Sequence, residues 1–315
     1  MLLYGRGGFG KSTLLNYYHD IARQPDRHLT VSEIIDWEFA LNDSNRSIFN
    51  PPPGQEVDAD GYFRMLCARL AQALGKARDQ FREYARAVTE LEQVRKQASD
   101  VIESLQKDDR YAWLRKATSQ EAIVLLRTFV PAVNAVPGID TLASVVEQEL
   151  EQGMKFGTEQ VKHLYNKLRD KLGHHLDDCL DPALKLGASL GRDLARFARD
   201  YPLLICFDTY EIVDEGDRLL RIVMGAAGAR IGWVIAGRDN LWGGVEQRKR
   251  SLSRVYGYKD IVPPDRALAI DFNIGSIGAF TSTDILIYFT LLCEKASGHL
   301  AAIAEEEAER ILDVT

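Results

Sequence analysis

The sequence predicts an α/β fold in which a five-stranded, mainly parallel sheet is interrupted by a large α-helical insertion. Short apolar runs bounded by polar or turn residues are typical of parallel strands that are covered on both faces. Between the second and third runs lies a long region that has almost no strand pattern and repeats its apolar residues at helical spacing. The predicted strands are Leu2–Tyr4, Val31–Phe39, Leu203–Phe207, Ile231–Ala236 and Ala267–Phe272.

The composition is that of a globular protein without a large basic surface. Of the 315 residues 46% are hydrophobic, and the formal net charge is -7, which argues against a nucleic-acid surface spread over the whole molecule. The 4 cysteines form no C-x-x-C pair, so neither a zinc site nor a disulfide framework is indicated. No signal peptide or uninterrupted apolar span is present in the sequence, and we expect a cytoplasmic protein with no membrane partner.

A glycine-rich loop lies between the first predicted strand and a helix predicted over Lys11–Ile21. Residues 5–12, G-R-G-G-F-G-K-S, match the pattern G-x-x-x-x-G-K-[ST]. Such glycines let backbone N–H groups turn toward a β-phosphate, the lysine reaches the β- and γ-phosphates, and the serine hydroxyl binds Mg²⁺. The sequence therefore predicts a P-loop that binds a nucleotide with Mg²⁺. The predicted nucleotide-binding residues are Gly5, Gly7, Gly8, Phe9, Gly10, Lys11, Ser12 and Thr13.

Charged residues follow the third and fourth predicted strands. Asp208 ends an apolar strand, as a Walker B aspartate does when it holds the Mg²⁺ shell together with Ser12. Glu211 is a candidate general base, and Arg238, at the end of the next strand, is a candidate γ-phosphate sensor. The alternatives are a strand-end or capping aspartate, a solvent-exposed glutamate, and an arginine paired with Asp239 or another acid. Glu211 and Arg238, together with Lys11, form the predicted catalytic set, and Ser12 and Asp208 are the predicted metal ligands.

Two further patterns bear on ligands. No N-K-x-D element follows the last core strands, so ATP or ADP is the expected nucleotide rather than GTP. The basic run Arg248-Lys249-Arg250, with Arg254 nearby, is either a solvated loop or a surface that contacts phosphate, nucleic acid or a neighbouring subunit. Binding to nucleic acid is therefore left open.

The insertion contains two series of apolar residues in steps of three and four, Tyr62 to Leu105 and Leu142 to Leu172. The first predicts a long helix that exposes most of its surface. The two segments predict an antiparallel helical hairpin, with Trp113, an Ala122–Val130 helix and a Pro131–Pro137 break near its tip. An ordinary helical subdomain and a protruding coiled coil both fit the pattern. Neither indicates a ligand.

The loop over Gly5–Thr13, the Asp208–Glu211 strand end and the Gly237–Asp239 turn together resemble the STAND class of P-loop ATPases. These are signal-transducing NTPases of the AAA-like branch, related to NACHT and AP-ATPase proteins. The resemblance covers roughly residues 1–60 and 195–300. It implies a sheet in which one strand separates the aspartate strand from the loop strand. It also implies a switch between ATP and ADP that controls self-association and an attached effector in signalling or defence.

These inferences predict four segments: residues 1–60, the first part of the NTPase core; 61–195, the helical insertion; 196–280, the second part of the core; and 281–315, the start of a helical lid. Both ends stop inside predicted elements, so we expect the natural protein to be longer. The resemblance implies effector or sensor domains outside this segment. A slow ATPase switch is the expected function. The alternatives are an AAA-type remodelling ATPase with an arginine finger from the basic run, a P-loop phosphotransferase, and a nucleotide-binding scaffold without turnover.

Overall fold

The computed structural model has an α/β architecture. It describes residues 1–5, 10–40, 48, 57–108, 111, 114–115, 118, 122–123, 126, 158–213, 216–243, 258–262 and 267–271. The strands are β1 (Leu2–Tyr4), β2 (Thr30–Val31), β3 (Ile35–Asp36), β4 (Leu203–Asp208), β5 (Ile231–Gly237) and β6 (Ala269–Asp271). The helices are α1 (Lys11–Ala22), α2 (Trp37–Ala40), α3 (Ala59–Ala73), α4 (Arg82–Gln106), α5 (Thr158–Leu172), α6 (His175–Leu180), α7 (Ala183–Phe197), α8 (Asp217–Ala227) and α9 (Tyr258–Ile261). Among these residues no helix is both long and apolar enough to cross a membrane.

The sheet is parallel at every described pairing, with the strand order β2-β4-β5-β1-β6 and with β3 also paired to β4. The predicted parallel α/β sheet is therefore confirmed, although it has six strands instead of five. The central strand β5 lies between β1 and β4, with Leu2 opposite Ile235 and Phe207 opposite the same residue. Consequently β4, which ends in Asp208, is separated from β1 by one strand.

The extra strand arises because the predicted strand Val31–Phe39 is wrong. β2 and β3 are separate short strands, and α2 begins at Trp37. Thr30 pairs with Leu203, whereas Asp36 pairs with Asp208, so the edge segment contains one more residue than β4 between these two pairs. The buried Ser32 lies at this bulge, where its Oγ accepts a hydrogen bond from the Cys206 N–H at 3.3 Å. The side chain thus replaces a ladder partner that the bulge removes.

The two faces of the sheet carry different layers of helices. On one face, alternate strand residues pack with Leu15 of α1; these are Leu3, Cys206, Val234 and Ala236. On the other face, a larger core joins the sheet to α3, α7 and α8. Because successive strand residues point to opposite faces, each strand position can be assigned to the α1 face or to the face of the larger core.

The single exposed helix predicted from Tyr62 to Leu105 is also wrong, because α3 and α4 are separate helices. Gly75 has φ 60°, and the Lys76 N–H donates to the carbonyl oxygen of Ala71 at 2.8 Å, a glycine-terminated C-cap that ends α3. The buried face of α3 packs into the core rather than facing solvent. Its fully buried residues are Tyr62, Phe63, Leu66 and Leu70. Apolar spacing continues across the break, which explains the wrong prediction.

Helix α4 contributes to two hydrophobic clusters. Its first half, with Ala87 and Leu91, belongs to the main core. Its second half, with Ala98 and Ile102, packs with α5 and α6 in a second cluster. The second predicted helix is described only from Thr158 onward. Trp113, the Pro131–Pro137 break, most of Ala122–Val130 and residues 281–315 lie outside the described residues.

The N-terminus of α4 is held by an acid from another helix. Asp193 of α7 is fully buried, and its carboxylate accepts the Tyr84 backbone N–H at 2.9 Å and a hydrogen bond from Arg196 at 2.8 Å. The carboxylate therefore satisfies an amide that the first turn of α4 leaves without an intrahelical partner.

Helices α7 and α8 approach closely at glycine residues, and this contact can be tested. A methyl group at Gly191 would lie 2.5 Å from the Val223 carbonyl oxygen and 2.7 Å from Cβ of Ala226. Gly191→Ala is therefore expected to lower the free energy of unfolding by about 1–3 kcal/mol, as overpacking does. The measurement is urea denaturation.

Gly225→Ala in α8 is the matched control, because no described atom lies within 4 Å of its Cβ position. This change is expected to be neutral or to stabilise by about 0.5–1 kcal/mol, since alanine favours helix more than glycine does. Equal destabilisation by both substitutions would contradict the close contact between the two helices.

Candidate functional site

The predicted phosphate loop is flanked by the strand and helix that its motif requires. Strand β1 ends at Tyr4, Gly5 follows with φ 142°, and Gly10 precedes α1 with φ 77°. Both glycines occupy backbone conformations that other residues rarely adopt. The first predicted strand and the following helix are thus confirmed. The predicted ligands Gly7, Gly8 and Phe9 lie outside the described residues.

The first turn of α1 carries the remaining loop residues. Lys11 is buried, with 9% of its surface exposed, whereas Ser12 and Thr13 are exposed. No acidic residue lies in this first turn, and no described side chain caps it. The partial positive charge of the helix end is therefore available to an anion.

The carboxyl ends of three strands contribute charged residues to the face that α1 covers. Cys206 and Ala236 both pack on that face. By strand alternation, Asp208 and Arg238, two residues further along, belong to the same face. Asp36 pairs directly with Asp208 in the sheet and so shares its face. The sequence did not identify Asp36 as a site residue, because Asp36 lies in the middle of the predicted strand Val31–Phe39. The register of β3 against β4 is the observation that identifies it.

The pKa of Lys11 responds to the charged residues of the predicted site. Burial is the largest cause of a lowered Lys11 pKa, and the charge of Arg238 lowers it further. The negative charges of Glu211 and Asp208 oppose this shift. An anion with several negative oxygens would complement a buried ammonium group in this environment. The charges of Asp208, Glu211 and Arg238 therefore all act on the Lys11 ammonium group.

Glu211 and Arg238 are bound to each other. The Arg238 Nε lies 3.0 Å from Glu211 Oε1, and the Arg238 backbone N–H donates to Oε2 at 3.1 Å. Arg238 is therefore paired with an acid, as one of the sequence alternatives allowed, but that acid is Glu211 and not Asp239. Both carboxylate oxygens of Glu211 are engaged. The Arg238 side chain is 68% exposed, so this pair can open toward solvent at little cost.

A second set of hydrogen bonds surrounds Asp208. Asp208 Oδ1 accepts the Thr209 backbone N–H at 2.9 Å, and the Thr209 Oγ1 donates to Asp36 Oδ1 at 2.9 Å. Asp36 Oδ1 also accepts the Glu38 N–H at 2.9 Å, at the start of α2. Two neighbouring strand ends are thus connected through the threonine.

A buried polar network lies beneath the turn that carries Glu211. Asp217 is fully buried and accepts hydrogen bonds from the hydroxyl groups of Tyr258 at 2.9 Å and Tyr210 at 3.3 Å. Arg221 binds the same carboxylate at 2.7 Å. Burial, together with the charge of Asp217, raises the pKa of both tyrosines well above the ordinary value. The network fixes Tyr210, the residue that precedes Glu211.

The donor set fits a magnesium ion only together with a nucleotide. Within the described part of the chain, no group of three or more His, Cys, Asp or Glu side chains could hold a metal ion. Mg²⁺ characteristically uses one or two protein ligands plus waters and phosphate oxygens. Ser12 and Asp208 would supply that protein share. The basic residues Arg248, Lys249, Arg250 and Arg254 lie outside the described residues.

Comparisons with protein-family models, curated proteins and solved structures found no match for this chain.

The two acid–arginine pairs of this region differ in burial, and this difference predicts different stabilities. Glu211→Gln is expected to change the free energy of unfolding by less than about 1 kcal/mol, because its partner is mostly exposed. Asp217→Asn, whose native side chain is fully buried beside Arg221, is expected to cost about 3 kcal/mol or more. Chemical denaturation of the two variants checks this. A Glu211 effect as large as that of Asp217 would show that the Glu211–Arg238 pair is rigid.

Proposed function

We propose that this chain is the core of a P-loop NTPase that binds ATP with Mg²⁺ and acts as a slow, nucleotide-dependent molecular switch. The observation that carries the proposal is the motif at Gly5–Ser12 between β1 and α1, with Asp208 at the end of β4. A glycine loop between a strand and a helix binds phosphate in many folds of this kind. The nearby acid adds the metal-binding half of the site.

The strand order supports the STAND-like, AAA-like branch of this class. The resemblance implied that one strand separates the aspartate strand from the loop strand, and β5 has this position between β4 and β1. Self-association on activation and coupling to an effector are part of the proposal through the resemblance alone. So is the role in signalling or defence. The adenine preference rests on the absence of an N-K-x-D element after the last core strands of the sequence.

Each residue has a proposed role in a cycle of binding and release. The backbone N–H groups of the loop and Lys11 bind the β- and γ-phosphates, and the Ser12 hydroxyl and Asp208 hold the magnesium shell. When bound, the ion neutralises phosphate charge. Asp208 orients it from the carboxyl end of β4.

The Glu211–Arg238 pair is the proposed sensing element. An arginine is attracted to a γ-phosphate as strongly as to a carboxylate, so a bound ATP competes with Glu211 for the exposed guanidinium. Release of Glu211 frees its carboxylate to accept a proton from the attacking water. The water oxygen then bonds to the γ-phosphorus, the bond to the β–γ bridging oxygen breaks, and ADP is the leaving group.

A nucleotide-binding scaffold without turnover is the second candidate function. The observation that favours it is the engagement of both Glu211 oxygens by Arg238, which directs the carboxylate toward the arginine in this conformation. Both functions predict nucleotide binding, but only the switch predicts hydrolysis.

Lys11→Ala is expected to lower the affinity for ATP by at least about a hundredfold, because it removes the lysine charge that interacts with the β- and γ-phosphate oxygens. A titration with labelled ATP and Mg²⁺ measures this, with GTP as competitor. The control is Lys96→Ala, at an exposed position on α4, which should bind as the wild type does. Unchanged ATP affinity in Lys11→Ala would reject the site, and equal competition by GTP would reject the adenine preference.

Arg238→Gln is expected to reduce the preference for ATP over ADP while leaving ADP affinity unchanged, because only the γ-phosphate contact is lost. Glu211→Gln should retain binding, lose turnover and change assembly size. Both variants are compared with wild type by nucleotide titration, phosphate release and light scattering. Normal hydrolysis in Glu211→Gln would exclude Glu211 as the base, and absence of hydrolysis in the wild type would favour the scaffold.

A further inference from the structure

We propose that Thr209 and Asp36 are positioning residues of this site, which hold the Asp208 carboxylate in the orientation that binds the magnesium ion. The inference rests on the proposed nucleotide function. It adds to that function two residues that the sequence pattern did not identify, one of which lies on a different strand. Neither residue needs to touch the nucleotide.

The backbone of Thr209 is the first observation. Its φ is 52°, in the left-handed region, and within the described residues His28 is the only other non-glycine residue with positive φ. A β-branched residue is strained in this region, by about 1–2 kcal/mol. His28 lies on an exposed loop, whereas Thr209 directly follows Asp208 at the end of a buried strand. Strain at such a position requires surrounding contacts that maintain it.

The contacts that maintain it are hydrogen bonds on both sides of the threonine. The Thr209 side chain is held by Asp36 through its Oγ1, and its backbone N–H is directed at Asp208 Oδ1. With Oδ1 occupied in this way, Asp208 Oδ2 has no hydrogen bond to any described residue. One oxygen of the carboxylate is thereby fixed, and the other is left to face the magnesium shell.

The bulge at the sheet edge explains why an aspartate stands opposite Asp208. If the pairing of Thr30 with Leu203 continued without interruption, Asp208 would pair with Ile35. The extra residue shifts the register by one, so that Asp36 pairs with Asp208 and Ile35 with Phe207. Because a shift of one residue exchanges the two faces of a strand, the bulge places a carboxylate where an apolar side chain would otherwise lie. It also leaves Ile35 in the main core.

Thr209→Val tests the inference, because it retains the β-branched shape and removes the hydroxyl donor. The magnesium concentration that gives half-maximal ATP binding is expected to rise about tenfold. ATP affinity measured in EDTA should not change, since the phosphate loop is intact. A role in folding alone would weaken both. Thr209→Ser restores the hydroxyl and should restore the magnesium requirement of the wild type.

Asp36→Ala removes the acceptor of the Thr209 hydroxyl. It should raise the half-maximal magnesium concentration by the same factor as Thr209→Val. The double variant Asp36→Ala with Thr209→Val should show no further rise, because each change removes the same hydrogen bond between Thr209 Oγ1 and Asp36 Oδ1. Thr89→Val is the matched control: it removes a surface threonine hydroxyl, which bonds the Ala85 carbonyl on α4 at 3.1 Å, and should leave magnesium dependence unchanged. Circular dichroism and urea denaturation establish whether each variant folds. If Thr209→Val does not fold, Thr209→Ala takes its place.

The outcomes separate this inference from the proposed function. If the wild type binds ATP with Mg²⁺ but the Thr209 and Asp36 variants bind it at wild-type magnesium concentrations, the positioning role is rejected and the nucleotide site stands. The same holds if Thr209→Ser is as defective as Thr209→Val, since the hydroxyl is then irrelevant. If the wild type binds no ATP at any magnesium concentration, the nucleotide function is rejected together with the inference.

Discussion

The parallel pairing of β4 with its neighbours is the constraint on which the rest of the structure depends. Its apolar residues alternate between α1 and the larger core, and β5 and β3 fix its register from both sides. Because parallel strands end at the same edge of a sheet, this pairing collects Asp208, Arg238 and Asp36 at one edge, on the face that α1 covers. The position of each of these residues thus follows from the pairing of its strand.

The site combines charges that are fixed with charges that can move. Asp217 is enclosed by tyrosine hydroxyls and Arg221, and breaking such a buried arrangement leaves an uncompensated charge. Glu211 and Arg238 form a pair that is open to solvent on the arginine side, where opening is inexpensive. The rigid network anchors Tyr210, directly before the movable pair. Separating Glu211 from Arg238 would therefore leave the buried Asp217 network intact.

Local signals in the sequence predicted the features that depend on local chemistry. The strand before the glycine motif, the helix after it and the strand-end position of Asp208 follow from short patterns, and the structure has them. The break at Gly75 was missed because apolar spacing continued across it. The position of Asp36 depends on register and on a bulge, which involve segments more than a hundred residues apart in the chain. The partner of Arg238 depends on how the turn after β4 lies against the end of β5. Periodicity within one segment carries no information about such pairings.

Helix α4 connects the main core to the second hydrophobic cluster. With 25 residues, it extends about 37 Å at the usual helical rise of about 1.5 Å per residue. One end is bonded to α7 through Asp193, and the other end is packed within the second cluster. Since α7 packs on α8 in the main core, the helix acts as a rigid rod between the two clusters. One continuous helix thus couples the packing of the second cluster to that of the helices that cover the sheet.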